Sequence, residues 1–290
     1  MMPKLNTPVD VPSLPVRLDF NSGIVSLGSC FADEIGARLQ QGGFNIDLNP
    51  FGTLYNPASI AQSIERILDG TEVSEHELVE NGGLYHSFYH HGSFSRSDSS
   101  ECVAACNSRL HQARKSLREA DLLMVTFGTA YIFEHDGKVV ANCHKFPADY
   151  FTRRRLAVAE IVAMWRPLLE RLKAFNPKLS FLFTVSPIRH LADGAHGNQI
   201  SKSTLLLAVD GLLAEQSSQT ACYFPAYEIV LDELRDYRFY AEDMAHPTPL
   251  ATEVVWERFC EATMPPSVRQ QAHTNRKLHK RQLHIPLHKN

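Results

Sequence analysis

The sequence predicts a three-layer α/β/α domain around a mainly parallel sheet, carrying an insertion and a small β-hairpin. Apolar runs of strand length, such as Leu122 to Phe127 and Leu179 to Val185, alternate with stretches whose apolar residues recur every three or four positions. The runs are continuously apolar, as strands covered on both faces require. Glycines close two of them, at Gly28 and Gly128, where a strand has to turn sharply. At 290 residues, 44% hydrophobic and 21% charged, the chain is long enough to bury a large core and too apolar to be disordered.

Residues 1 to 20 form an extension with four Pro and no continuous apolar core, which does not read as a signal peptide. No apolar run approaches the roughly 20 residues that cross a bilayer, so a cytoplasmic protein is expected. Ile24 to Leu27 is the first strand, and Ala32 to Gln41 a helix that stops at Gly42-Gly43. Phe44, Ile46 and Leu48 alternate as a second strand. Asn56 caps a helix with Pro57 at its first position and Ile60, Ile64 and Ile67 on one face. Residues 70 to 120 read as an insertion over the site, polar at first, then helical with Val103, Cys106, Leu110, Ala113 and Leu117 in register.

After the strand Leu122 to Phe127, Asp136-Gly137 marks a hairpin between Tyr131–Phe133 and Lys138–Ala141. Leu156 to Phe175 has helical period, and Pro167 is expected to kink or divide it. Strand Leu179 to Val185, helix Ile200 to Gln216, strand Ala221 to Phe224 and helix Thr248 to Glu261 complete a domain over 21 to 264. Residues 265 to 290 are expected to be a mobile tail. The formal charge of −3 hides this tail, which holds Arg269, Arg276, Lys277, Lys280, Arg281 and Lys289 and no acid. The rest of the chain is therefore the acidic part, which argues against a nucleic-acid partner. The six cysteines are far apart, which favours free thiols over a disulfide framework.

In an open parallel sheet, ligands bind beyond the carboxyl ends of the strands. Those ends offer Gly28-Ser29-Cys30, Gly52, Gly128-Thr129, Ser186-Pro187-Ile188-Arg189-His190 and Asp243-Met244-Ala245-His246. Ser29, at a strand-to-helix turn, suits a nucleophile aided by the N–H groups of a helix N-terminus, and equally suits a helix N-cap. Asp243 and His246, three apart, suit a carboxylate that fixes the tautomer of a general base, or a surface pair that caps the last helix. Arg189 and His190, with Lys145 and Lys202, suit an anionic substrate group, unless Arg189 is paired with acids such as Glu228 and Asp232.

Gly28-Ser29-Cys30-Phe31-Ala32 resembles the signature of the GSCFA family, a branch of the SGNH/GDSL hydrolase superfamily. Asn49-Pro-Phe-Gly-Thr-Leu-Tyr-Asn56, Asn142-Cys-His-Lys145, Ser186-Pro-Ile-Arg-His190 and Asp243-Met-Ala-His246 resemble further blocks of that family, in order over about residues 20 to 260. The resemblance implies an SGNH-hydrolase-like fold, Ser29 as nucleophile, His246 as base, Asp243 as its orienting partner, and the N–H groups of Ser29 and Gly52 as part of an oxyanion hole. The superfamily's Gly-x-Asn-Asp block is here Gly128-Thr129-Ala130-Tyr131, so the Asn that donates to the oxyanion is Ala130. Such a donor is worth about 2.7 to 4 kcal/mol in the transition state. Thr129, Asn142 and His144 are candidates to replace it.

Cys30 is a rival nucleophile, more readily placed under the sheet because free Cys packs as a small apolar residue. His86, His90 and His91 with Cys102 and Cys106 lack the tight ligand pairs of zinc sites, so no metal is expected. Together these features predict a serine-dependent esterase or O-acyltransferase that acts on a small-molecule or carbohydrate ester and needs no cofactor. The alternative is a non-catalytic module that keeps the crevice to bind a ligand.

Overall fold

The structure, a computed structural model, describes residues 7–11 and 13–283. Strands β1 (Gly23–Gly28), β2 (Asn45–Leu48), β5 (Leu122–Phe127), β9 (Ser180–Val185) and β10 (Ala221–Tyr223) form one sheet in the order β10-β9-β5-β1-β2. Every pairing in it is parallel. Side chains alternate across β5: Leu123, Val125 and Phe127 enter one core, while Leu122 and Met124 enter the other. That period of two explains why the strand is apolar at every position.

The first core is closed by α2 (Pro57–Asp69), α3 (Ser99–Glu119), α4 (Val158–Phe175) and α5 (Gly194–Leu213). The second is closed by α1 (Cys30–Gly42), α7 (Pro249–Thr263) and the N-terminal segment, of which Leu14, Val16 and Leu18 are buried. Helix α2 begins as its sequence dictates: the Asn56 carboxamide oxygen accepts the Ser59 N–H at 2.8 Å, and Pro57 needs no donor at the first position. Pro167 lies inside α4, which runs through it without division.

Two antiparallel pieces are appended. Strands β3 (Leu78–Asn81) and β4 (Leu84–Ser87) form a hairpin turned at Gly82-Gly83. The hairpin of β6 (Tyr131–His135) and β7 (Lys138–Val140) turns at Asp136-Gly137, both at positive φ, and gains a third strand, β8 (Thr152–Arg155). The expected insertion is shorter than 70 to 120. Helix α3 is a layer helix whose Leu110, Ala113 and Leu117 pack on the first core, so only the stretch from Thr71 to Asp98 is added.

The expected mobile tail is also different. Over Pro266–Leu283 it forms helix α8, which packs on α1 and α7. Ala272 is buried, Asn275 Nδ2 donates to the Gly42 carbonyl at 2.8 Å, and Arg276 donates twice to Glu253 at 2.8 Å while lying over the Trp256 ring. A cation read as a solvated charge is thus a packing residue, through its stem and its planar head. Lys289, with residues 284–290, lies outside the described residues. Arg276→Ala should destabilise the fold by about 2 kcal/mol, since it strands a half-buried carboxylate and uncovers an indole; thermal melts would check it. Among the described residues, no helix is long and apolar enough to cross a membrane. Past β10 the chain winds through α6 (Ala226–Glu228) and irregular turns before α7, and this stretch carries Asp243 and His246.

Candidate active site

The carboxyl ends of β1, β2, β5 and β9 bring four loops together. At the first, Gly28 adopts φ 154° and its N–H donates to Asn49 Oδ1 at 2.8 Å. Asn49 takes the left-handed φ of 42° that Asn tolerates. Its Nδ2 donates to Asp33 Oδ1 at 2.6 Å, and Thr53 Oγ1 donates to Asp33 Oδ2 at 2.8 Å. Asp33, in the first turn of α1, thus ties the loop after β2 to the turn that presents Ser29. The sequence reading missed this frame, although Asn49 and Thr53 stand in one of the recurring blocks and Asp33 follows Ser29 by one helical turn.

Ser29 occupies the N-cap position of α1, but its side chain makes no capping bond. Its Oγ is buried and has no hydrogen-bond partner. The cap reading therefore does not account for the hydroxyl. Gly128 abuts it: a Cβ on Gly128 would lie 3.2 Å from Ser29 Cβ, 3.4 Å from His190 Nε2 and 3.0 Å from the Tyr55 carbonyl oxygen. That oxygen already accepts the N–H groups of Gly128 and Thr129 at 2.8 and 2.9 Å.

Asp243 and His246 form the pair that their spacing allows. His246 Nδ1 lies 2.5 Å from Asp243 Oδ2, and Asp243 Oδ1 accepts the N–H groups of Ala245 and His246 at 2.9 and 3.0 Å. These donors hold the carboxyl at a pKa of about 2, the backbone N–H of His246 first among them. The pair is half-exposed. No hydrogen bond joins His246 to Ser29. The loop is instead braced on the one after β9: Arg189 N–H donates to the Ala245 carbonyl at 3.1 Å, and the Arg189 guanidinium lies 4.0 Å over the Tyr240 ring.

His190 is near His246, whose charge helps to depress its pKa, although burial is the main cause and Lys202 the next; the result is about 4. Its Nε2 is buried without a partner. Lys202, expected to face an anion, does not. It is fully buried, its Nζ donates to the Gly128 and Ser186 carbonyls at 2.6 and 2.7 Å, and burial brings its pKa down to about 7. It staples the loops after β5 and β9. The Arg189 guanidinium meets the Met244 carbonyl and the Tyr240 ring rather than Glu228, which accepts from the Tyr223 hydroxyl, or Asp232, which lines a cleft beside it. Lys145 is exposed. A second cleft of about 460 Å³, with Tyr55, Thr129, Tyr131, Phe133, Arg189 and His190 among its walls, opens next to Gly128.

The expected oxyanion donors are otherwise engaged. Gly52 N–H donates to the Asn49 carbonyl at 2.7 Å, and Gly52 is needed because a Cβ would strike His91. Ser29 N–H reaches the Thr126 carbonyl at 3.3 Å. Thr129 Oγ1 lies 3.1 Å from Ser201 Oγ, which also accepts the Ala130 N–H. Asn142 Oδ1 accepts the His144 N–H, and His144 stacks on His86 while its Nε2 meets the Ser87 carbonyl. None of Thr129, Asn142 and His144 is bonded to Ser29.

His86 and His90 of the insertion and His144 are buried; His86 stacks on His144 at 4.5 Å and His90 on Phe51 at 4.3 Å. Among the described residues, no group of three or more His, Cys, Asp or Glu is placed to hold a metal. Burial lowers the pKa of His90 to about 3 and of His144 to about 4. The unfolded chain takes up these protons below about 6.5, whereas the folded chain does not. Stability should therefore fall as the pH drops from about 6.5 towards about 4, and His90→Phe should flatten that slope in melts across the window.

Burial raises the Cys30 thiol, with Asp33 adding to the effect. A thiol so placed is a poor nucleophile. If Cys30 is not the reactive group, Cys30→Ser should leave labelling of the protein by a fluorophosphonate within about threefold of the parent rate, which labelling time courses would check.

No curated protein matches the chain. Solved structures that resemble it include a carbohydrate esterase family 3 protein from Talaromyces cellulolyticus, at 8% identity and a TM-score of 0.38, covering 87% of this chain and 99% of that one. An acetyl esterase variant with an acetate ion matches at 9% identity and a TM-score of 0.40, with the same coverage. An acetyl xylan esterase from the rumen bacterium Butyrivibrio proteoclasticus matches at 10% identity and a TM-score of 0.41, covering 88% of this chain and 64% of that one. The family model described as the GSCFA family matches residues 23–259, which include the Ser29 turn, its Asn49 and Asp33 frame and the Asp243–His246 pair, and the chain belongs to that family.

Proposed function

We propose that the protein is a serine-dependent esterase or O-acyltransferase that works through an acyl-enzyme. The observation that carries this is the Ser29 hydroxyl: buried, unpartnered and not used as a cap, at the turn where a parallel sheet presents its ligands. Asp243 holds His246 with Nδ1 protonated, which leaves Nε2 free to accept a proton. Ser29 Oγ attacks the acyl carbon as His246 takes its proton. The tetrahedral adduct then collapses, the alcohol leaves with that proton, and the acyl group stays on Ser29. Water or another hydroxyl, deprotonated by His246, attacks the acyl carbon; the bond to Ser29 Oγ breaks, Oγ takes the proton back from His246, and the acid or new ester departs.

Because no hydrogen bond joins Ser29 and His246, the reading requires the partly exposed 241–247 loop to bring the imidazole to Ser29 when substrate is bound; catalytic hydrogen bonds often close only then. The neighbouring cleft, with Tyr131 and Phe133 in its walls, suits a small-molecule or carbohydrate ester. A cytoplasmic location fits a chain whose described cysteines are all free.

Labelling with a fluorophosphonate, followed by peptide mass spectrometry, tests the reading. The adduct is expected on Ser29 alone and absent from Ser29→Ala. A folded protein that is never labelled and turns over no ester would contradict it. The gap between Ser29 and His246, and Ala130 in place of an amide donor, favour a second reading, a binding module. It predicts ligand binding that survives Ser29→Ala with no turnover in the parent.

A further inference from the structure

We infer that His190 donates its Nε2–H to the oxyanion, and so does the work of the amide that Ala130 cannot do. The inference rests on the esterase reading above and adds one catalytic residue to it. The need for a donor is set by the chain itself. The methyl of Ala130 is fully buried, its N–H is held by Ser201, and Gly52 N–H and Thr129 Oγ1 are bonded elsewhere. Ser29 N–H has only a long bond at 3.3 Å, so it can turn to a substrate, but one N–H is a thin oxyanion hole.

His190 meets the geometric requirement. The space left by the absent side chain of Gly128 is bounded by the Tyr55 carbonyl oxygen, at 3.0 Å, Ser29 Cβ, at 3.2 Å, and His190 Nε2, at 3.4 Å; the Tyr55 oxygen already accepts the Gly128 and Thr129 N–H groups, so His190 Nε2 is the one possible donor among these three. His190 Nε2 borders this space, as does the Cβ that carries Ser29 Oγ; both polar atoms are buried, and neither has a partner in the protein. A buried donor is left unpartnered at a cost, and such groups mark places where a ligand supplies the missing bond. A tetrahedral adduct on Ser29 Oγ would have to place its oxygen on the His190 side of this gap, because the Tyr55 carbonyl repels it on the other.

His190 is also fixed and neutral, as a donor must be. Its backbone N–H donates to Asn198 Oδ1 at 3.0 Å, and its ring stands edge-on to Tyr55 at 6.0 Å. Burial and the Lys202 ammonium depress its basicity, so it stays an imidazole at neutral pH. An imidazole that resists protonation is a weak general base and a good hydrogen-bond donor. The same Lys202 fixes the Gly128 and Ser186 carbonyls, and so sets the width of the gap.

The test compares His190→Gln, which keeps an N–H donor, with His190→Met, which is of similar volume and has none. Hydrolysis of para-nitrophenyl acetate is measured over a range of pH, and Ser29→Ala is the blank. The Met variant is expected to lose about 10² to 10³ in kcat with KM within about threefold, and the Gln variant to recover at least tenfold of that loss. The shape of the pH profile should be common to the parent and the Gln variant. Met activity equal to the parent's would overturn the role of His190 alone. Gln activity as low as Met's, in variants with matching melts, would also overturn it, because a base, unlike a donor, has no amide substitute. A parent with no Ser29-dependent turnover would instead remove the esterase reading, and this role with it.

Discussion

Replacing His246 with Ala is expected to lower kcat/KM for an activated acetyl ester by about 10⁴-fold or more, and Asp243→Asn by about 10²-fold. The two losses differ for a reason visible in the pair. Without His246, nothing in the loop accepts the Ser29 proton, and His190, depressed to about 4 by burial, is too weak a base to take over. Asp243 acts at one remove. Its carboxylate fixes the imidazole through Nδ1 at 2.5 Å, and an amide in its place turns the tautomer the wrong way. In a buried triad that error costs about 10⁴. Here the carboxylate is half-exposed, so water screens its charge and can repair part of the orientation, and the smaller figure is expected. Single-turnover acylation measured beside steady-state rates would check it. Equal losses in the two variants would show that the pair is desolvated in the working state.

The sheet was legible because its signal is redundant. A strand such as Leu122 to Phe127, apolar at every position, has one interpretation once helices of period 3.6 flank it, and the Asn56-Pro57 cap fixes the start of α2 from chemistry alone. Other features were not legible, because their residues look solvated. Strand β8 is Thr152-Arg153-Arg154-Arg155, exposed throughout, and exists because β6 offers an edge and Glu134 pairs with Arg154. Helix α8 is polar on most sides and is held by Arg276, whose role depends on Glu253 and Trp256, distant in sequence. At the candidate site, the sequence pointed to residues that bear recognisable chemistry and passed over those that hold their loops in place. Lys202, read as a partner for an anionic group, is a buried staple, and Asp33, to which no role was assigned, ties the loop after β2 to the turn at Ser29. His144 and Asn142 read as site residues by their block, yet His144 stacks on His86 of the insertion and Asn142 Oδ1 holds the His144 N–H.

Gly28→Ala should be the most damaging single methyl in the site. At Gly28 an added Cβ would lie 2.4 Å from the Thr126 carbonyl oxygen, 2.7 Å from Thr126 Cβ and 2.9 Å from the Thr126 nitrogen, on the neighbouring strand of the same sheet. Thr126 is paired on its far side with Thr184 of β9, so its backbone cannot move aside, and the carboxyl end of the β1–β5 ladder would have to part. The φ of 154° adds strain for any residue with a side chain. Overpacking and strain together should cost about 3 kcal/mol, or roughly 6 to 12 °C in melting temperature. The separation would also carry Ser29 away from Gly128 and His190, and a shift of about 1 Å in a nucleophile is worth about 10² in rate. Gly36→Ala is the control. Its Cβ would meet Leu48 Cδ1 at 2.5 Å, the far end of a side chain that can change rotamer, so the expected loss of stability is under about 1.5 kcal/mol and Ser29 labelling is unchanged. If Gly28→Ala melted like Gly36→Ala and still reacted with a fluorophosphonate at the parental rate, the close approach of β1 to β5 would not be what sets the nucleophile's position.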